Sequence, residues 1–153
     1  MVLRILLAMA AIAISSPVPA ADETPRYIVR DIWTGSRPLP FSEAVLIGNT
    51  LYIGGHIGID PKTDRAAQNP EIESKLVMDA VKLTVESAGL SMDNLVSVTV
   101  YCTDLGLYDT FNTVYKTYFH EKYPARAFIG ASRLLRGAHF EVQGIALNLR
   151  HER

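Results

Sequence analysis

The centre of the chain reads Leu95-Val96-Ser97-Val98-Thr99-Val100-Tyr101-Cys102, an apolar–polar alternation of period two. Successive side chains of a β-strand point to opposite faces, so this stretch predicts a strand with Val96, the other two valines and the cysteine on one face. The serine, threonine and tyrosine would form a semi-polar opposite face. We expect the apolar face to meet helices and the other face to meet a second subunit.

A helical pattern lies on each side of this strand in the sequence. Asn69-Pro70-Glu71 is typical of a helix N-terminus, and apolar residues then recur at spacings of three and four until Gly89. After the strand, Thr103-Asp104 predicts a second cap, followed by an apolar stripe that we expect in the core. That stripe consists of Leu107, Phe111, Val114, Tyr115 and Tyr118. Both helices are expected to be long and amphipathic.

Further strands precede and follow these helices. Residues 27–31 predict a first strand, and residues 44–47 and 50–53 predict a hairpin joined by Gly48-Asn49. Residues 126–131 and 140–147 predict the last two strands. This order predicts an α+β two-layer sandwich, a mixed β-sheet with two helices on one face.

The N-terminus has the pattern of a cleavable secretory signal peptide, residues 1–20. Arg4 precedes an apolar stretch over residues 5–14, and Val18-Pro19-Ala20 offers small residues for cleavage after Ala20. The stretch is shorter than the ~20 residues that span a bilayer, although a membrane anchor or a misassigned start remains open. We expect an N-terminal strand and loop over residues 21–38, a domain over residues 39–150, and a secreted or periplasmic protein that is not membrane-bound after cleavage.

Composition excludes several classes of function. The formal net charge is −1 without a basic stripe, which disfavours nucleic acid as a partner. Cys102 is the single cysteine, so no internal disulfide is expected, and it is predicted to be a buried small hydrophobe. The four histidines are scattered without ligand spacing, and nucleotide-binding motifs are absent. We therefore expect neither a metal nor a cofactor.

Three residues are candidates for chemistry. Pro124-Ala125-Arg126 places a permanent charge at the start of a predicted strand, where it needs an acidic partner or ligand unless its head reaches water at the rim. Glu141 would share a face with Arg126 if the last two strands pair, forming either an acid/base constellation or an ordinary ion pair. His56 follows two glycines and could act near neutral pH, although its position favours a satisfied or exposed loop histidine.

Taken together, these segments resemble the reactive intermediate deaminase A family (RidA-like, YjgF family) over residues 40–150. The matching segments are, in order, Pro40-Phe41-Ser42-Glu43-Ala44, Gly48-Asn49-Thr50-Leu51-Tyr52-Ile53-Gly54-Gly55-His56, Ile59-Asp60-Pro61-Lys62-Thr63, Ala88-Gly89-Leu90-Ser91, Pro124-Ala125-Arg126 and Phe140-Glu141-Val142. The resemblance implies a homotrimer of a chorismate-mutase-like fold with clefts between subunits. It also implies hydrolysis of 2-imino or enamino acids to 2-oxo acids and ammonia without metal or cofactor.

The resemblance further implies roles for individual residues. Arg126 corresponds to the arginine that binds the substrate carboxylate, Glu141 to the glutamate that places or activates water, and Gly55 to a main-chain contact. The chain departs from the family at four pocket positions, where the usual Tyr, Ser, Gln and small residue or Cys are replaced. The replacements are Phe41, Gly54, His56 and Phe128.

These departures make the predicted cleft less polar, and Phe41, His56 and Phe128 are expected to contact a small carboxylate-bearing substrate. An exported, non-catalytic member of the family that binds a carboxylate or a protein client is the alternative. An isomerase of the chorismate mutase type is a third possibility that rests on fold analogy alone.

Overall fold

The computed structural model describes residues 24–29, 40–120 and 122–149. The predicted signal peptide, residues 1–20, and most of the predicted loop before Pro40 lie outside the described residues. Within these ranges, no helix combines the length and the apolar character needed to cross a membrane.

Six strands form one mixed sheet. They are β1 (Arg26–Ile28), β2 (Ala44–Ile47), β3 (Thr50–Ile57), β6 (Leu95–Cys102), β7 (Ala125–Gly130) and β8 (Phe140–Leu147). A separate ribbon pairs β4 (Ile59–Asp60) with β5 (Arg65–Ala66). The sheet order is β1-β2-β3-β8-β6-β7, and of the strand pairs that the structure describes only β6 and β7 run parallel.

The predicted hairpin is confirmed between β2 and β3. Gly48-Asn49 connects the two strands, and Gly48 has a φ of +57°. A two-residue hairpin loop needs this left-handed conformation, which glycine adopts without steric cost.

Helix α1 (Pro70–Ser87) forms where the sequence predicts it. The side chain of Asn69 accepts hydrogen bonds from the backbone N–H groups of Glu71 at 2.9 Å and Ile72 at 3.1 Å, which satisfies two donors at the helix N-terminus. Gly89, with a φ of +84°, ends the helical segment. The buried face of α1 packs on β3 and β8.

The second helix is shorter than predicted. Helix α2 (Tyr108–Tyr115) has 8 residues and lies between 3₁₀ turns at Leu105–Leu107 and Lys116–Tyr118. The side chain of Asp104 caps the first turn by accepting a hydrogen bond from the N–H of Gly106. A glycine at this point disfavours an α-helical first turn, so regular helix begins only at Tyr108.

Strand β6 lies inside the sheet, and its predicted alternation holds with one exception. Val98, Val100 and Cys102 are buried on the side that meets the helices, and Cys102 is a free thiol as predicted. Val96, which was expected on the same face, is 39% exposed. A bulge between Leu95 and Ser97 changes the register and turns Leu95 into the core instead.

The α+β two-layer prediction is confirmed, with α1 and α2 on one face of the mixed sheet. The opposite face, which we call the open face, mixes polar and apolar side chains. By register these include Tyr52, Ser97, Thr99, Tyr101, Glu141, Gln143 and Ile145.

Candidate active site

Arg126 lies on the outer strand β7 and is directed toward α2. It pairs in register with Val98, whose side chain is in the core, so both side chains lie on the helix side of the sheet. Its Nη2 donates a 2.7 Å hydrogen bond to Oδ1 of Asn112 and approaches the hydroxyl of Tyr108 at 3.5 Å. Its Cζ lies 4.5 Å from the ring centroid of Tyr115, a cation–π distance.

The guanidinium of Arg126 is half-buried but has no acidic partner within the described ranges. None of the ion pairs found there includes Arg126. One amide oxygen and aromatic faces solvate a cation only partly, because a charge is best compensated by an opposite charge. The surroundings of Arg126 therefore favour the binding of an anion.

A cleft of about 330 Å³ opens beside this guanidinium. It is lined by Asn112, Tyr115, Lys116, Tyr123, Pro124 and Arg126. Two of these side chains are cationic and none is acidic, so the local field favours a negatively charged occupant.

Glu141 lies on the open face of the sheet, where it is close to Gly55. It pairs in register with Ile57 of β3 and Tyr101 of β6. A Cβ added at Gly55 would collide with Oε1 of Glu141, so glycine at this position is what allows the carboxylate to lie over the β3 main chain. The irregular pairing between Ile53 and His56 occurs at the same point of β3.

The last two strands do not pair, so the condition under which Arg126 and Glu141 would share a face is not met. Strand β6 lies between β7 and β8, and Arg126 and Glu141 project from opposite faces of the sheet. Their backbones are two strands and three register positions apart, a separation of ~10 Å in each direction from standard strand spacing. One chain therefore does not bring the guanidinium and the carboxylate together.

The other predicted contact residues fall in different places. Phe128 lies two residues after Arg126 on β7, on the same face of the sheet. Its ring centroid is 5.0 Å from that of Tyr108. Phe41 is 59% exposed in the segment before β2. His56 is buried on the helix side, with Nε2 3.2 Å from the hydroxyl of Thr84. This position matches the satisfied histidine that the sequence left open, and not a side chain beside Glu141.

Three residues around Arg126 were not recognised as functional from the sequence. Tyr108, Asn112 and Tyr115 recur at spacings of four and three, so α2 presents them together to Arg126. The sequence feature that could have identified these residues is Asn112, a polar side chain beside the otherwise apolar stripe of this helix. Burial raises the pKa of Tyr115 to about 12, against the opposing effect of the nearby Arg126 charge.

A second charged site, built around Glu73 of α1, was also missed. Glu73 is fully buried, and its Oε1 accepts hydrogen bonds from the backbone N–H groups of His139 at 2.6 Å and Phe140 at 2.9 Å. Its Oε2 lies 2.6 Å from Nδ1 of the His139 ring. Glu73 thus fixes the start of β8, immediately before Glu141.

The described residues contain no cluster of three or more His, Cys, Asp or Glu side chains suited to a metal ion. The fold and this site together define a small two-layer α+β protein with a cationic cleft at one edge of its sheet. The sequence profile of the Endoribonuclease L-PSP family matches residues 34–148. The chain belongs to this family, which is also known as the RidA/YjgF family.

Individual relatives agree with this assignment. The chain is 34% identical to the 2-iminobutanoate/2-iminopropanoate deaminase of Mus musculus over 109 residues, which cover 71% of this chain and 81% of the mouse protein. RidA from the Antarctic bacterium Psychrobacter sp. PAMC 21119 has a similar structure, with a TM-score of 0.71, 30% identity, and coverage of 80% of this chain and 99% of that one. The structure of Escherichia coli TdcF with bound serine gives a TM-score of 0.72, 28% identity, and the same coverage of 80% and 99%.

Proposed function

We propose that this protein hydrolyses 2-imino or enamino acids to 2-oxo acids and ammonia. The observation that carries the proposal is the half-buried guanidinium of Arg126, which lacks an acidic partner among the described residues and faces a cationic cleft. The mouse relative is named as a deaminase of such imines, and the TdcF relative binds serine, a ligand with a carboxylate. The chain's net charge of −1 gives no comparable support to RNA cleavage, the activity in the family's name.

The proposed reaction needs only what the chain supplies. Arg126 binds the substrate carboxylate through two parallel hydrogen bonds and fixes its orientation. Glu141 takes a proton from a water whose oxygen bonds to the imine carbon, and it returns that proton to the nitrogen. The product of this addition is a carbinolamine. Glu141 then moves the proton of its hydroxyl group to the amino nitrogen, and as that oxygen becomes a carbonyl the carbon–nitrogen bond breaks, which releases ammonia and the 2-oxo acid.

The proposal requires two copies of the chain at each site. Arg126 lies on an outer strand and Glu141 on the open face, so the open face of one subunit packed against the β7 edge of another would unite them. We propose a homotrimer with three such sites. Gly55 and Phe41 would approach with Glu141, Phe128 with Arg126, and His56 would support the β3 main chain from the core.

Export is part of the proposal, because residues 1–20 have the composition of a signal peptide. N-terminal sequencing of the protein recovered outside the cytoplasm should begin at Ala21. Recovery only in the cytoplasm with an intact leader would contradict export without affecting the proposed chemistry.

A non-catalytic carboxylate-binding protein is the second candidate. It is favoured by Phe128, an apolar ring whose centroid lies 5.7 Å from Cζ of Arg126 where the family resemblance implies a small residue or cysteine. Such a protein would be thermally stabilised by 2-oxo acids without turning over imines.

The deaminase assay separates these candidates. Freshly generated 2-iminopropanoate should be hydrolysed by the wild type above the background rate. Arg126→Lys keeps the charge but loses the planar fork, so we expect kcat/KM to fall at least ~10-fold, and ~100-fold or more in Arg126→Ala. Background rates in the wild type, or full activity in Arg126→Ala, would contradict the proposal.

Mixing two inactive variants tests whether the site lies between subunits. Arg126→Ala and Glu141→Gln are unfolded together and refolded, so that subunits combine at random. A site that takes Arg126 from one subunit and Glu141 from its neighbour would be intact in about a quarter of cases, and about a quarter of the activity should return. A site within one chain would recover none.

A further inference from the structure

The hydroxyl of Tyr115 is a buried polar group without a hydrogen-bond partner among the described residues. The side chain is only 4% exposed. Tyr118 makes an instructive contrast, because its hydroxyl donates to Oδ1 of Asp79 at 2.7 Å and also lies 3.2 Å from the carbonyl oxygen of Lys75. Burying a hydroxyl without a partner costs free energy, so Tyr115 needs an acceptor from elsewhere.

Three neighbours of Tyr115 in the cleft, Arg126, Lys116 and Asn112, offer hydrogen-bond donors. The guanidinium of Arg126 lies over its ring, and Lys116 follows it in sequence and lines the same cleft. Asn112 uses its amide oxygen to accept from Arg126, which leaves its amide nitrogen as a further donor. A cleft so rich in donors is matched by an occupant rich in acceptors.

We propose that the Tyr115 hydroxyl donates a hydrogen bond to the carboxylate that Arg126 binds, which makes Tyr115 a second determinant of carboxylate recognition. The inference rests on the proposed function, because it takes the 2-imino or 2-oxo acid as the occupant of the cleft. The pKa of Tyr115, raised by burial to about 12, keeps the hydroxyl protonated and able to donate at neutral pH.

The proposal gives Tyr115 two separable functions. Its ring makes a cation–π contact with the guanidinium of Arg126, and its hydroxyl donates a hydrogen bond to the bound carboxylate. A phenylalanine at this position would keep the first function and remove the second. The hydroxyl is therefore expected to contribute to ligand affinity and not to folding.

The experiment compares Tyr115→Phe with Tyr118→Phe as the matched control. Binding of 2-oxobutanoate is measured by calorimetry, and stability by thermal unfolding of the unliganded protein. We expect Tyr115→Phe to weaken binding about 10-fold, the usual effect of one hydrogen bond to a charged group, with an unchanged or higher melting temperature. Tyr118→Phe should lower the melting temperature and change the dissociation constant by less than about twofold.

Four results would overturn the proposal. Wild-type affinity in Tyr115→Phe would exclude a contact with the ligand, as would a wild type that does not bind 2-oxobutanoate. A loss of stability as large as that in Tyr118→Phe would assign the hydroxyl to folding. Dissociation of the oligomer in Tyr115→Phe would assign its acceptor to a neighbouring subunit.

The imine assay keeps this inference separate from the proposed function. A wild type that binds 2-oxobutanoate through Tyr115 but does not hydrolyse imines would contradict the deaminase activity and support the contact between Tyr115 and the carboxylate. A wild type that hydrolyses imines, together with unchanged kinetics and binding in Tyr115→Phe, would support the deaminase and contradict the contact between Tyr115 and the carboxylate. A rise in KM with little change in kcat is the kinetic pattern expected of a binding contact.

Discussion

Glu73 and Arg126 are both charged side chains at the junction of a helix and the sheet, but the chain treats them differently. Glu73 is fully buried, and two backbone N–H groups and a histidine ring surround its oxygens. Arg126 is half-buried and has one amide oxygen and aromatic faces as neighbours, including the ring of Tyr115, whose hydroxyl has no hydrogen-bond partner in the described part of the chain. A buried charge whose hydrogen bonds are supplied by its own chain stabilises the fold. A charge that lacks an oppositely charged partner is available to bind a ligand.

The largest effect that this comparison predicts is on stability at Glu73. Glu73→Ala removes the acceptor of three close contacts and leaves buried donors unpaired, so we expect a loss of about 3–5 kcal/mol in the free energy of unfolding. Urea denaturation measures this loss.

Glu71→Ala is the matched control, because Glu71 is an exposed acid in the same first helical turn. It should cost less than about 1 kcal/mol, the range of a helix-end charge. Equal losses in the two variants would mean that Glu73 is not the structural charge described above.

A smaller change in stability is expected at Arg126. Arg126→Ala loses the hydrogen bond to Asn112 and the cation–π contact with Tyr115, together worth about 2 kcal/mol. The same urea titration measures it. A loss as large as that in Glu73→Ala would erase the distinction between the two sites and assign Arg126 mainly to folding.

The smallest expected effect is a pH dependence that arises from the Tyr115 hydroxyl. Its pKa is raised from 10.0 to about 12 by burial, so between these values the unfolded chain releases a proton that the native state keeps. The free energy of unfolding then falls as pH rises, by up to about 1.4 kcal/mol per pH unit, and is unaffected below pH 10.

The difference between the wild type and Tyr115→Phe isolates this contribution, because both proteins contain every other tyrosine and lysine. Urea denaturation at pH 9, 10 and 11 should show the two stabilities diverging only at the highest pH. If the free energies of unfolding of the two proteins change in parallel with pH, the Tyr115 hydroxyl is hydrated. Tyr115 would then no longer contrast with the satisfied carboxylate of Glu73.

The sequence predicted best where the signals were local. Asn69 and Gly89 mark the ends of the α1 segment because capping and left-handed backbone depend on a few neighbouring residues. Val96 was assigned to the wrong face because the bulge beside it arises in pairing with β8. Whether the last two strands pair was left as a condition, and they do not, because the strand–helix–strand order of β6, α2 and β7 instead makes β6 and β7 a parallel neighbouring pair.

By itself, the sequence determined the two-layer fold, the secondary structure at most positions and the identity of the permanent cation, because periodicity, capping and ionisation belong to single residues and their near neighbours. Only the tertiary structure decided that Arg126 and Glu141 lie on opposite faces, that Glu73 is satisfied and that the Tyr115 hydroxyl finds no partner among the residues that the structure describes. Those facts depend on which strands pair and which groups exclude water, and both are set by contacts between residues far apart in the chain.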